Sequence, residues 1–222
     1  MTPTLFDQQD SVVVLMDYQQ ASMSWMRARP LKELKGRVLL LARTARFMKI
    51  PVLITTHDEA EKPGPVIPEL ERALTLEHGL RIQRTGLTSL IDATSNPQFV
   101  EAIRRTGRKH VVLAGANNAT STVFTAVALR DLGFDVLVVI DAGSAQFHAE
   151  HARATRELNE AGVALTTTNE LLRTQLTGGR MLSVIMGGEG ASRAESGVPS
   201  QSPTGNGSFH HGYGPNGPKP VE

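Results

Sequence analysis

HVVLAGANNATSTVFTAVALRDLGFDVLVVIDA, residues 110–142, reads as one strand–helix–strand unit. Two nearly continuous apolar runs, HVVLAGA (110–116) and FDVLVVIDA (134–142), flank a stretch of helical spacing, STVFTAVALRDLG (121–133), that stops at Gly133. Continuous β-branched runs of this length suit strands buried on both faces. A glycine at the end of the helical stretch suits a helix stop.

The same alternation extends outward in both directions. SVVVLMD (11–17), IPVLITT (50–56), a short run in GLRIQRTG (79–86) and VALTT (163–167) read as further strands. LKELKGRVLLLARTARFMK (31–49) places Leu34, Val38, Leu41 and Ala45 on one helical face. PQFVEAIRRTGRK (97–109) opens with a helix-starting proline and stops at Gly107, and HAEHARATRELNEAG (148–162) stops at Gly162. Repeated strand–helix–strand units with short connections imply parallel pairing. The expectation is an α/β domain over 8–177, a Rossmann-like three-layer sandwich with a mostly parallel six-stranded sheet. Ligands in such sheets sit beyond the carboxyl ends of the strands. That rule directs attention to Asp17, Thr55 to His57, the neighbourhood of Arg84, residues 115–121 and Asp141.

The chain has 222 residues, 40% hydrophobic and 20% charged, with a formal net charge of +1. A balance so near neutral gives no reason to expect a nucleic-acid or anionic-membrane partner. No apolar run approaches the roughly 20 residues of a membrane span. There is no cysteine, which excludes disulfides, zinc–thiolate sites and a thiol nucleophile. The opening MTPTLFDQQD is polar and acidic rather than basic then apolar, so no signal peptide is expected and the default compartment is the cytoplasm. Residues 178–222 are rich in glycine and proline, as in GVPSQSPTGNGSFHHGYGPNGPKP, and are expected to form a flexible tail.

Several residues carry candidate chemistry. Asp17 closes the first strand, where a desolvated carboxylate suits acid–base work; the alternative is a structural acceptor in the strand–helix connection. In GANNATSTVFTA (115–126), Gly115 permits a tight turn and Ser121 stands near a helix N-terminus, where free N–H groups favour an oxyanion. The alternative is that Ser121 or Thr120 simply caps the helix. Arg84 could orient an anion, or be an ordinary surface arginine. His57 and Asp58 end the second strand without a second histidine nearby. His148 and His151, at i and i+3, read as solvated surface groups rather than a metal pair. No metal and no cofactor is expected.

Taken in order, these pieces resemble the isochorismatase-like, or cysteine hydrolase, family over roughly residues 8–175, and most of all its branch of oligomeric bacterial hydrolases. VVVLMDYQ resembles the first strand and its general-base aspartate. ITTHDEAEKPGPVIPEL resembles the second strand with its Gly-Pro and Pro-Glu-Leu segment. IQRTGLTSLIDATSNPQFVEAIRRTGRKHVVLAG resembles the basic residue and the following helix. GANNATSTVFTAVALRDLGFDVLVVIDAGSAQ resembles the nucleophile turn.

The resemblance implies catalytic roles for Asp17, Arg84 and Ser121, with Ser121 at the position of the family's cysteine. It also implies substrate or oxyanion contacts from Gln19, Ala116, Asn117 and Thr120. A cis peptide at Ala116–Asn117, a small-molecule substrate and a homo-oligomer are implied as well. Serine is a far weaker acid than cysteine, whose free pKa is about 8.5, and needs a strong adjacent base. An arginine-paired carboxylate is a poor one. Two functions follow: hydrolysis of a small amide, imide or vinyl-ether substrate, or a catalytically degenerate homologue acting as a binding or structural subunit. Of these substrates the vinyl ether needs only an acid, which Asp17 could supply without a thiol. A role for the tail in making the chain a scaffold is a third reading.

Overall fold

In the computed structural model the described residues are 9–57, 64–74, 79–83 and 97–175. Arg84, Asp58 and the proposed tail 178–222 lie outside them.

Six parallel strands form one sheet: β1 (Ser11–Met16), β2 (Val52–Thr56), β3 (Gly79–Gln83), β4 (His110–Gly115), β5 (Asp135–Val139) and β6 (Ala164–Thr166). Their order across the sheet is β3-β2-β1-β4-β5-β6, every neighbouring pair parallel. The expected α/β class and six strands are therefore observed, and the sheet is parallel throughout.

Seven helices accompany the strands among the described residues: α1 (Gln20–Trp25), α2 (Leu31–Phe47), α3 (Pro68–Ala73), α4 (Pro97–Arg105), α5 (Val123–Asp131), α6 (His148–Glu160) and α7 (Thr168–Gln175). They divide between the two faces. Val13 and Leu15 of β1 join a core built with α1, α2, α3 and α7, while Val12, Val14 and Met16 join one built with α4, α5 and α6. A strand buried on both faces has no room for polar alternation, which is why β1 reads as an unbroken apolar run.

The anticipated face of α2, namely Leu34, Val38, Leu41 and Ala45, is fully buried. Full burial of such leucine or valine side chains stabilises by about 1.5–3 kcal/mol each. The helix-stopping glycines 107, 133 and 162 all have positive φ, the conformation that glycine adopts without a Cβ penalty. None of the described helices is long and apolar enough to cross a membrane.

Candidate functional site

The strand order reverses between β1 and β4, and a doubly wound sheet binds ligands outside the carboxyl ends of its strands at such a point. The register sets Met16 of β1 beside Gly115 of β4, so Asp17 and the turn after Gly115 leave the sheet side by side.

Asp17 is buried, 5% exposed, and has φ 57. Its amide still donates to Thr55 O at 2.9 Å, so the chain turns only after completing the ladder. Left-handed backbone is costly for a residue with a Cβ, although aspartate tolerates it better than most. Lys49 is the other non-glycine described residue with positive φ, and it follows the C-terminus of α2, where that conformation ends helices routinely. Asp17 ends a strand, where no such routine applies. Its Oδ2 lies 3.8 Å from His57 Nε2, an ion pair when the imidazole is protonated. The hydroxyls of Thr55 and Thr56, buried at the end of β2, have no hydrogen-bond partner among the described residues.

The side chains of the next two residues tie the end of β1 to neighbouring segments. Tyr18 is fully buried and its hydroxyl donates to Ala142 O at 2.7 Å. Burial foremost, and then the charges of Asp141 and Asp17, push its phenol well above the usual value, so it stays protonated. For Gln19, the candidate substrate contact, Oε1 accepts from His57 N at 2.8 Å, and Nε2 donates to Gly64 O at 2.5 Å and more weakly to His57 O at 3.3 Å. The carboxamide is committed to tying the end of β2 to the segment before α3.

The turn after β4 departs from the sequence reading in three respects. Residues Asn118–Thr122 form a π-helical turn ahead of α5. The cap is Asn117, whose side chain accepts from Ala119 N at 3.0 Å, and neither Ser121 nor Thr120. Ser121, half-buried, donates its hydroxyl back to Asn117 O at 3.2 Å, and Thr122 does the same at 2.9 Å. Second, Ala116 N donates to Met16 O at 2.9 Å, which removes that amide from the expected oxyanion donors. Third, no peptide bond among the described residues is cis, so Ala116–Asn117 is trans. Asn117 is half-buried and Thr120 exposed at the open N-terminus of the turn, where N–H groups lack intrahelical acceptors. Gly115 has a steric reason: a Cβ there would run into Thr122 Oγ1.

The turn is locked to the one after β5. Asn118 N donates to Ser144 O at 2.6 Å, Ser144 N to Ala116 O at 3.1 Å, and Asn118 Nδ2 to Ile140 O at 2.9 Å. Sequence reasoning gave Asn118 no role; the only local signal was an asparagine just inside a helix entrance. Asp141, singled out as a strand end, is a structural anchor. Its Oδ1 accepts from Thr168 N at 2.6 Å and Thr168 Oγ1 at 2.7 Å, holding the start of α7, and its Oδ2 lies 3.4 Å from Arg37. His151 is half-buried against Asn118 rather than solvated. No group of three potential metal ligands occurs among the described residues. A cavity of about 440 Å³ lies between α1, α2 and α3, but Asp17 and Ser121 do not line it.

Asp17 and the 115–122 turn thus flank the switch point, while Arg84 lies outside the described residues. The isochorismatase domain profile matches residues 11–170. The probable hydrolase YcaC of Escherichia coli (strain K12) is 32% identical over 161 residues, 72% of this chain and 75% of that protein. The structure of YcaC from Pseudomonas aeruginosa, with hexane-2,5-diol and covalent acrylamide, is 30% identical with a TM-score of 0.71, covering 77% of this chain and 82% of that one. The E. coli YcaC structure, described as an octameric hydrolase of unknown specificity, is 30% identical with a TM-score of 0.69 over 75% and 79% of the two chains. The chain belongs to the isochorismatase family of hydrolases.

Proposed function

We propose that this protein hydrolyses a small amide, imide or vinyl-ether substrate, with Asp17 as the general acid/base. The observation that carries the reading is Asp17 itself: a buried carboxylate in left-handed backbone at the switch point. Non-glycine residues held in such conformations cluster at active sites, where the surrounding structure sustains a cost of about 1–3 kcal/mol. Arg84 would neutralise or orient the substrate, and the N–H groups of Asn117, Thr120 and Ser121 would face developing negative charge, those of Asn118 and Ala119 being already bonded.

Ser121 favours the second reading, a catalytically degenerate homologue. With no cysteine in the chain, the nucleophile position falls to a hydroxyl that bonds within its own turn. Vinyl-ether hydrolysis avoids this difficulty, because protonation by Asp17 suffices and water completes the reaction. By analogy with the octameric E. coli relative, the working unit is a homo-oligomer. Exposed Trp25, Phe124 and Phe147 offer apolar surface for its contacts, and sedimentation of the full chain at the monomer mass would refute that.

The deciding experiment is turnover of a panel of small amides, imides and isochorismate by wild type, Asp17→Asn and Ser121→Ala. Acid catalysis predicts that Asp17→Asn lowers the rate by about 10²-fold or more while Ser121→Ala retains it on the vinyl ether. Loss with both variants assigns Ser121 as nucleophile. No turnover by wild type on any member leaves the degenerate reading.

A further inference from the structure

Asn118 is the hinge pin between the turns after β4 and β5, and one of its contacts depends on a protonation state. Its side chain is fully buried. Nδ2 donates one hydrogen to Ile140 O at 2.9 Å, which fixes the orientation of the carboxamide, since a flipped group would set two oxygens against each other. The second Nδ2 hydrogen points at His151 Nδ1, 3.4 Å away. Oδ1 packs against Gly143 with no room for a methyl group and has no hydrogen-bond partner among the described residues. The only role left to His151 Nδ1 is acceptor.

We propose that neutral His151, in the tautomer with its proton on Nε2, is a positioning residue that holds the Asn118 carboxamide and thereby the turn carrying Asn117 and Ser121. Asn118 links this histidine to the turn through its own backbone bond to Ser144 O. A protonated His151 would present an N–H to an NH2 group, and the contact would become repulsive.

The surroundings keep the ring neutral. Two basic groups face it: Arg29, from the segment before α2, and His148, one turn back on α6. Burial first, then these two, hold its pKa below the ordinary histidine value. Arg29 also leans on the same loop, its Nε 3.4 Å from Gly143 O, and pairs with Glu33. Among the described elements packed on α6, the one acidic group is Asp131 of α5, which is paired with Arg130. The π-helical turn and β6 contain no titratable side chain, and the Arg130 guanidinium of α5 sits at the far end of α6 beside Gly162. Glu150, on α6 itself, accepts from Phe147 N.

The positioning role matters to catalysis only if this turn belongs to the reaction site, so it rests on the function proposed above. The experiment therefore has two arms. The first needs no substrate. Nitrogen-15 spectra of the full chain report the tautomer of His151, and hydrogen exchange reports the amides of Asn118 and Ser144. We expect an unprotonated Nδ1 and a protonated Nε2 at neutral pH. Protection at both amides should fall about tenfold in His151→Leu, the order of one lost hydrogen bond, and be restored in His151→Gln, whose Oε1 can accept. Below the pKa of His151, wild type should lose protection while His151→Gln does not.

The second arm is kinetic, on whichever substrate wild type turns over. His151→Leu should lower kcat with little change in KM, and His151→Gln should keep kcat while removing the acid-side fall that wild type shows. A proton on Nδ1 at neutral pH, or unchanged protection in His151→Leu, overturns the proposal. So does an unchanged kcat in His151→Leu. If wild type turns over nothing, the function reading fails, and the positioning claim is decided by the first arm alone.

Discussion

Gly143→Ala and Gly36→Ala make the same chemical change and should have opposite effects. Gly143 has φ −116 and ψ 172, an extended conformation open to any residue, so nothing in its own backbone demands glycine. The demand comes from its neighbours. A Cβ at Gly143 would lie 2.5 Å from Gly115 O and 2.6 Å from Asn118 Cγ, with Asn118 Oδ1 nearer still. Two of these belong to a carboxamide already tied to Ile140 O, and the third is backbone at the end of β4, next to the centre of the sheet. None can yield cheaply, so the cost should be about 1–3 kcal/mol, as for other overpacked interiors. Gly36 lies within α2, and a methyl group added there would meet nothing within 4 Å. Alanine at that position should stabilise by about 0.5–1 kcal/mol through helix propensity. Urea unfolding reads both changes. With a slope of about 2 kcal/mol per molar, Gly143→Ala should lower the midpoint by about 0.5–1.5 M and Gly36→Ala should raise it by about 0.25–0.5 M. A Gly143→Ala midpoint at or above wild type, with an unchanged slope, would refute the close-approach argument.

Two further substitutions test the buried anchors. Tyr18→Phe keeps the ring and deletes the bond to Ala142 O, leaving a buried carbonyl unpaired, at about 1–2 kcal/mol in urea unfolding. Because the folded phenol titrates well above the unfolded one, wild type binds more protons folded than unfolded above about pH 10; its stability should fall there, and that fall should be absent in Tyr18→Phe. Asp141→Ala strips Thr168 N and Oγ1 of their shared acceptor and Arg37 of its counter-charge, so a loss of about 2–3 kcal/mol is expected, with the amides of α7 the first to gain exchange. Unchanged exchange across α7 would show that the helix is held by its apolar contacts instead.

How far the sequence discloses this molecule depends on how local each cause is. The central strands β1, β2, β4 and β5 are legible because burial on both faces writes a nearly unbroken apolar run, and α2 because one face repeats at helical spacing. The short helices α1, α3 and α7 were not anticipated. Six to eight residues hold too few turns for a period to emerge, and α7 is set by an aspartate 27 residues away. At the site, Asp17 and the 115–121 segment follow from strand ends alone. The commitments of Gln19 to His57 and Gly64, of Ala116 to Met16, and of Asn118 to Ser144 and Ile140 do not, because each joins groups distant in the chain. Ser121 reads as a cap or a nucleophile because both use a helix N-terminus. A π-helical turn displaces that terminus, and Asn117 takes the cap.

The backbone of Asp17 offers a way to separate its two possible reasons for being there. If φ 57 is only the geometry of leaving β1, glycine meets it without a Cβ penalty, and Asp17→Gly should stabilise the fold by about 1 kcal/mol. If the carboxylate also anchors the fold through His57 and its other partners, that gain is offset. Asparagine tolerates the same conformation and nearly matches aspartate in shape, so Asp17→Asn changes charge and proton transfer while leaving the turn alone. An enzyme that keeps a strained acid for its chemistry should lose turnover in both variants while Asp17→Gly unfolds at higher urea, the usual opposition of stability and activity at a working site. A glycine variant less stable than the asparagine one would instead make Asp17 a structural carboxylate, and the strain argument for catalysis would lose its footing.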